Sequence, residues 1–170
     1  ESAIYELGRL EGVSEETDTN PIVYTSLVRR EAMESVIIEG AQIELEDLFR
    51  PDTLDGAEIT KDVREGLNYE SAVIDGAEQV DRSGEITIDL LNALHLQLLE
   101  GTRHDGDTIG EFRRHPVHLP PPGSLADPFI PPAPDQIPEL MDNLMEYIQT
   151  GGLYHSLLDI GIVHYQFETI

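Results

Sequence analysis

Ile137-Pro-Glu-Leu-Met-Asp-Asn-Leu-Met-Glu-Tyr-Ile148 places apolar side chains at positions 137, 140, 141, 144, 145 and 148. Those are steps of three and four, the period of one face of an α-helix, and the intervening residues are polar or acidic. The stretch therefore predicts an amphipathic helix with its apolar stripe against a core. The same reasoning carried outward makes the chain mainly helical. Upstream, Thr87 can cap a helix running to Leu99, with Leu91, Leu94 and Leu98 on one face and Gly101 as its stop. Downstream, Leu153 to Phe167 is apolar on several sides through Leu157, Leu158, Ile160, Ile162, Val163 and Phe167, which predicts a central, surrounded helix.

Further towards the amino terminus, Asn20-Pro21 is a helix opening, because proline at the first turn loses no hydrogen bond. A helix is predicted from Pro21 to Glu39, ended by Gly40. Ile43 to Phe49 predicts a short helix stopped by Pro51, and Asp62 to Val80 a longer one weakened by Gly66 and Gly76. Nine of the eleven prolines fall between Arg113 and Pro138, including Pro120-Pro121-Pro122 and Pro131-Pro132. No long helix can form there, so an extended, exposed element with turns is expected. No internal repeat is present.

The 170 residues suffice for one domain with a sizeable core, and 39% are apolar. Thirty-four acidic residues oppose nine arginines and a single lysine, Lys61, for a net charge of −24. The acids are scattered rather than run together, which reads as the solvated surface of a folded domain. Such a carboxylate excess with almost no lysine suggests a halophilic source. It also disfavours surface binding to nucleic acid or to an anionic membrane, since so few cations face so many carboxylates. With no cysteine there is no disulfide framework and no thiol chemistry. No apolar run approaches a transmembrane span and no signal segment opens the chain, so a cytoplasmic location is expected. Glu1 at the start, with methionine only at 33, 141 and 145, suggests trimming at both ends.

The last seven residues, His164-Tyr-Gln-Phe167-Glu168-Thr169-Ile170, resemble the segment immediately before the signature loop HPFxxGNGRxxR of the Fic family (filamentation induced by cAMP), within the Fic/DOC superfamily. The loop itself is absent. Far upstream, Ser35-Val-Ile-Ile-Glu39-Gly40 fits that family's inhibitory pattern of Ser or Thr, three residues, Glu, then Gly or Asn. Other matches follow family order: Leu7-Gly8 to Gly12, Asn68-Tyr69, Leu94-His95, Gly110-Glu111-Phe112-Arg113, Pro131-Pro132 and Pro138-Glu139-Leu140-Met141. The resemblance implies an all-α, Fic-type helical bundle with a short β-hairpin flap. It divides the chain into an N-terminal helical region over 1–60, holding an inhibitory helix at about 21–40, and a Fic core over 61–170 with the flap at about 113–132.

By the same resemblance, the activity of the complete protein is transfer of AMP from ATP, with Mg, to a hydroxyl of a target protein's Ser, Thr or Tyr. No catalytic residue of that reaction lies in this chain. What the chain holds is the regulatory part: Ser35 and Glu39 lie four residues apart and so share a helix face, and Glu39 would pair with the second arginine of the missing loop, where the ATP γ-phosphate would otherwise sit. Glu44 stands where the family often has Ser or Thr to cap the next helix, and an acid there still favours a helix start. Val117, His118 and Leu119 occupy the position of the target-docking strand of the flap, flanked by Pro116 and Pro120, which shortens any strand pairing. Family members of this type often dimerise, so a homodimer is a possible assembly.

Histidine supplies the competing chemistry. His104, Asp105, Asp107, Glu111, His115 and His118 crowd together, and His115-Pro-Val-His118 could chelate a transition metal. The spacing matches no closed site, and Asp105-Gly-Asp107 lacks the later positions of a calcium loop, so no metal is expected. His95 and His164, inside apolar helix patterns, read as packing residues with one hydrogen bond each. The reading from a different class is a non-catalytic interaction module that uses the Pro-rich loop to hold a partner.

Overall fold

Local helix signals, summed over the chain, produce an all-α molecule. The computed structural model describes residues 2–16, 21–49, 59–106, 108–118, 128–154 and 156–170. Among them are seven α-helices: α1 (Ser2–Glu16), α2 (Pro21–Ile38), α3 (Leu45–Phe49), α4 (Lys61–Ser83), α5 (Ile88–Leu99), α6 (Ile137–Gln149) and α7 (Ser156–Thr169), with a 3-10 turn at Pro134–Gln136 ahead of α6. No strand occurs among the described residues; Phe129 forms a single bridge. Leu119 and the expected turn of the flap lie outside the described residues. The chain forms two compact units, Glu1–Glu70 and Ser71–Ile170, so their division falls within α4.

In the first unit, Ala32 and Val36 of α2, Ala41 and Ile43 after it, Leu48 of α3 and Val63 of α4 bury one another, with Met33, Ile59, Leu67 and Tyr69 around them. Leu48 is wholly buried at 0% exposure. The end of α2 is decided by Gly40. Its φ of 91° is a conformation that side chains resist. In that conformation the Gly40 N–H donates to the Ile37 carbonyl, and the Ala41 N–H to the Val36 carbonyl, both at 2.9 Å. This is the Schellman ending, and it satisfies carbonyls that the helix would leave open. Glu44 precedes α3, and the Asp47 carboxylate reaches back to the Glu44 N–H at 2.8 Å. Half of a capping box thus replaces the missing Ser or Thr. Thr60 caps α4 by accepting from the Val63 N–H at 3.2 Å.

Gly66, which the sequence marks as a weakness in α4, is a point of close approach. A Cβ there would lie 2.9 Å from Leu48 Cδ2 and 3.1 Å from Ile43 Cδ1, whereas at Gly8 in α1 it would meet nothing within 4 Å. Gly66→Ala is therefore expected to destabilise the protein by about 1 kcal/mol, overpacking of ~1–3 kcal/mol outweighing a helix-propensity gain of up to ~1 kcal/mol. Gly8→Ala should stabilise it by up to ~1 kcal/mol. Thermal melts of the two variants check the opposite signs.

In the second unit, Ile137, Met141, Leu144 and Met145 of α6 form the buried cluster, flanked by Ile86, Ile88, Leu91, Phe112, Ile148, Val163 and Ile170. The stripe read from the sequence is the one that is buried. The Thr87 hydroxyl accepts from the Leu90 N–H at 3.2 Å and caps α5. α7 packs on α6, but none of its residues is buried. Leu158, Ile160 and Tyr165 are well exposed. The expected central, surrounded helix is therefore corrected: among the described residues α7 has a partner on one side. Its apolar residues face several directions, and only those near Val163 and Ile170 meet the cluster.

Candidate functional site

The Ser35–Gly40 segment closes α2, and the Ser35 side chain is held from α4 by Tyr69. Ser35 lies within α2 one turn before Glu39, and its hydroxyl donates to the Glu31 carboxylate at 3.1 Å. The Tyr69 hydroxyl lies 3.1 Å from that of Ser35 and donates to the same Glu31 oxygen at 3.4 Å. Three groups thus fix the rotation of α2 at its last turn. One turn further back, Arg29 Nε donates to both oxygens of Glu70, at 2.9 and 3.1 Å. The Arg29 guanidinium stands 4.8 Å from the centre of the Phe49 ring. The pair is mostly shielded, with side-chain exposures of 25% and 12%, so it contributes more than a surface ion pair. Glu39 follows α2 directly. Its N–H donates to the Ser35 carbonyl at 3.3 Å, and the residue is exposed, as is Gly40. The structure therefore brings Ser35 and Glu39 to the same helix end. Glu31, Arg29 and Glu70 gave no signal in the sequence; Tyr69 was legible only as part of the Asn68-Tyr69 match.

In the second unit, the Gly110-Glu-Phe-Arg113 turn is anchored at three points. The Gly110 N–H donates to His95 Nδ1 at 3.1 Å. Phe112 packs on the α6 cluster. Arg113 donates through Nη1 to the backbone oxygen of Ile170 and through Nη2 to the carbonyl of Pro132, each at 2.6 Å. Val117 and His118 beyond the turn are exposed. At the end of α7, Phe167 and Glu168 are exposed, the Thr169 hydroxyl donates to the Tyr165 carbonyl at 2.7 Å, and Ile170 packs on the α6 cluster.

His95 accepts at Nδ1, so its ring is neutral with the proton on Nε2. Desolvation lowers its pKa from the ordinary 6.5. As pH falls, the unfolded chain takes up this proton first, so the stability that neutral His95 contributes is lost below pH 6.5. His95→Asn keeps an acceptor and cannot titrate. It is expected to flatten the fall in melting temperature between about pH 7 and 5, read by thermal melts across that range.

The α6–α7 turn is organised by Asp159. Its carboxylate accepts from the Tyr147 hydroxyl at 2.6 Å and from the N–H groups of Leu153 and Tyr154 at 3.2 Å. The Tyr147 phenol is pushed above its usual pKa, chiefly by that hydrogen bond. Beside it lies a cavity of about 510 Å³ along α7, walled by Ile86, Leu91, Leu144, Met145, Val163 and Phe167 among others, with His164 at its lining. The expectation of two packed histidines is corrected, since His95 and His164 are both exposed residues; His95 does take its one hydrogen bond, from the Gly110 N–H. Among the described residues, no group of three or more His, Asp or Glu side chains is placed to hold a metal ion. No helix of the described residues is long and apolar enough to cross a membrane.

Comparison with known families agrees with this geometry. The profile described as Fic/DOC family N-terminal matches residues 1–78, and that of the Fic/DOC family matches residues 85–170. The chain belongs to the Fic/DOC family. The structure is also similar to the crystal structure of a Fic family protein from Desulfovibrio desulfuricans G20, with a TM-score of 0.71 and 22% identity. That match covers 98% of this Fic/DOC chain and 50% of the other, so the chain spans half the length of that relative. No match was found among curated proteins.

Proposed function

We propose that this Fic/DOC chain is the regulatory and docking portion of a protein adenylyltransferase. The complete protein transfers AMP from ATP to a Ser, Thr or Tyr hydroxyl of a target protein, releasing pyrophosphate. The groups that hold Mg and act on the phosphates would come from the family's signature loop. The observation that carries the reading is the end of α2, where Ser35 is fixed by Glu31 and Tyr69 and the chain turns at Gly40, leaving Glu39 on the last residue before the turn. A carboxylate so placed suits autoinhibition, since it could take the arginine and the space that the ATP γ-phosphate needs.

Val117, His118 and Leu119 would dock the target segment. A cytoplasmic, halophilic setting and a homodimer complete the proposal. The test is incubation of the full-length protein with ATP and Mg in high salt, labelled in parallel at the α- and γ-phosphates. Protein labelled from the α-position alone supports AMP transfer. Label from the γ-position would mean phosphoryl transfer instead. Exposure of Val117, Phe129 and Ile130 beside the Pro-rich segment favours the second reading, a non-catalytic module that binds a partner there. Absence of both labelling and ATP binding would select it.

A further inference from the structure

The guanidinium of Arg113 holds together two pieces of backbone that the sequence keeps far apart. Ile170 is 57 residues away and Pro132 is 19 away, yet the backbone oxygen of the first accepts from Arg113 Nη1 and that of the second from Nη2, each at 2.6 Å. Arg113 itself is immobilised, because Gly110 is bonded to His95 on α5 and Phe112 is packed on the α6 cluster. Its Nε is buried without a hydrogen-bond partner among the described residues. Arg113 as a whole is half-buried, so the cost falls on that one N–H, which is out of water and unpaired.

We propose that Arg113 is a positioning residue for the AMP transfer, clamping the base of the docking segment to the end of α7. The inference rests on the function proposed above. Arg113 and Pro132 bracket the segment that contains Val117 to Leu119, and their bond closes its base. The bond to Ile170 ties that base to the residue that follows α7. A bound target hydroxyl and the α-phosphorus must meet in line, and misplacement by about 1 Å costs on the order of a hundredfold in rate. One planar cation with two divergent donors sets both distances at once, which a lysine's single ammonium cannot.

The test uses the full-length protein carrying Glu39→Gly to release inhibition, with Arg113→Lys or Arg113→Gln added. Both additions are expected to lower kcat at least tenfold, with KM for ATP changed less than about threefold. Hydrogen exchange should rise in the segments 128–134 and 164–170 but not in α5 or the first half of α6. Exchange unchanged at both segments would overturn the clamp, whatever happens to the rate. Exchange rising throughout the second unit, or loss of far-UV helicity in both variants, would make Arg113 a general core residue and overturn it too. If the Glu39→Gly protein with Arg113 intact transfers no AMP, the functional reading fails on its own, and the exchange data still decide whether the clamp exists.

Discussion

Glu39→Gly in the full-length protein is expected to raise AMP transfer, measured as self-labelling from α-labelled ATP, by between tenfold and about a thousandfold. Two like charges 4 Å apart repel by about 4 kcal/mol at an effective dielectric constant near 20, and that corresponds to roughly three powers of ten in rate. Partial exposure and high salt reduce the figure, which sets the lower bound. The substitution should leave the fold alone. Gly40 and Ala41 close α2 through their own backbone N–H groups, so the Schellman ending does not need the Glu39 side chain. Glu39→Gln separates charge from bulk: a gain as large as that of glycine assigns the effect to charge, and no gain assigns it to the space that the side chain fills. An unchanged rate in Glu39→Gly, in a protein that does transfer AMP, would remove the autoinhibitory role.

Leu48→Ala is expected to have the largest effect on stability, a loss of about 2–5 kcal/mol and a fall in melting temperature of roughly 5–20 °C. Leu48 is at 0% exposure and packs with Val36, Ile43 and Val63, and its Cδ2 fills the space that a side chain at position 66 would take. Little can move in to close the cavity, because Ile43 and Val63 are already in contact with the cluster and the helices around it are capped. Because Val36 is one turn from Gly40, the same substitution should also loosen the end of α2 and partly release basal AMP transfer. A loss under about 1 kcal/mol would show that the cluster repacks freely, since filling by neighbours is what lowers such costs.

The helices that were legible in advance are those whose stability is local. α5 and α6 begin and end within one residue of the positions read from Thr87, Leu99, Ile137 and Ile148, because a capping hydroxyl and a stripe of period 3.6 need no distant partner. α1 was not legible as a helix. Gly8 and Gly12 lower its propensity, and no residue of it joins a buried cluster that would mark a core face. α7 misled in the opposite sense, since apolar residues on several sides imply neighbours on several sides, and among the described residues α7 meets chiefly α6 and buries none of its own side chains. Of the candidate site, Ser35, Glu39 and Gly40 were legible as a pattern. The groups that hold them were not. The contacts of Ser35 with Tyr69, of Arg29 with Glu70 and of Arg113 with Ile170 cross 34, 41 and 57 residues, and no local period encodes such pairings.

Asp159 has one more consequence. The chain contains six tyrosines and no tryptophan, so its near-ultraviolet signal is phenolic. Tyr147 differs from the other described tyrosines in donating to a carboxylate that also gathers the Leu153 and Tyr154 N–H groups. Its proton is harder to remove, and its ring senses the geometry of the turn from α6 into α7. The chain therefore carries a built-in optical reporter at the turn between α6 and α7, and a change in that turn can be followed without attaching any label.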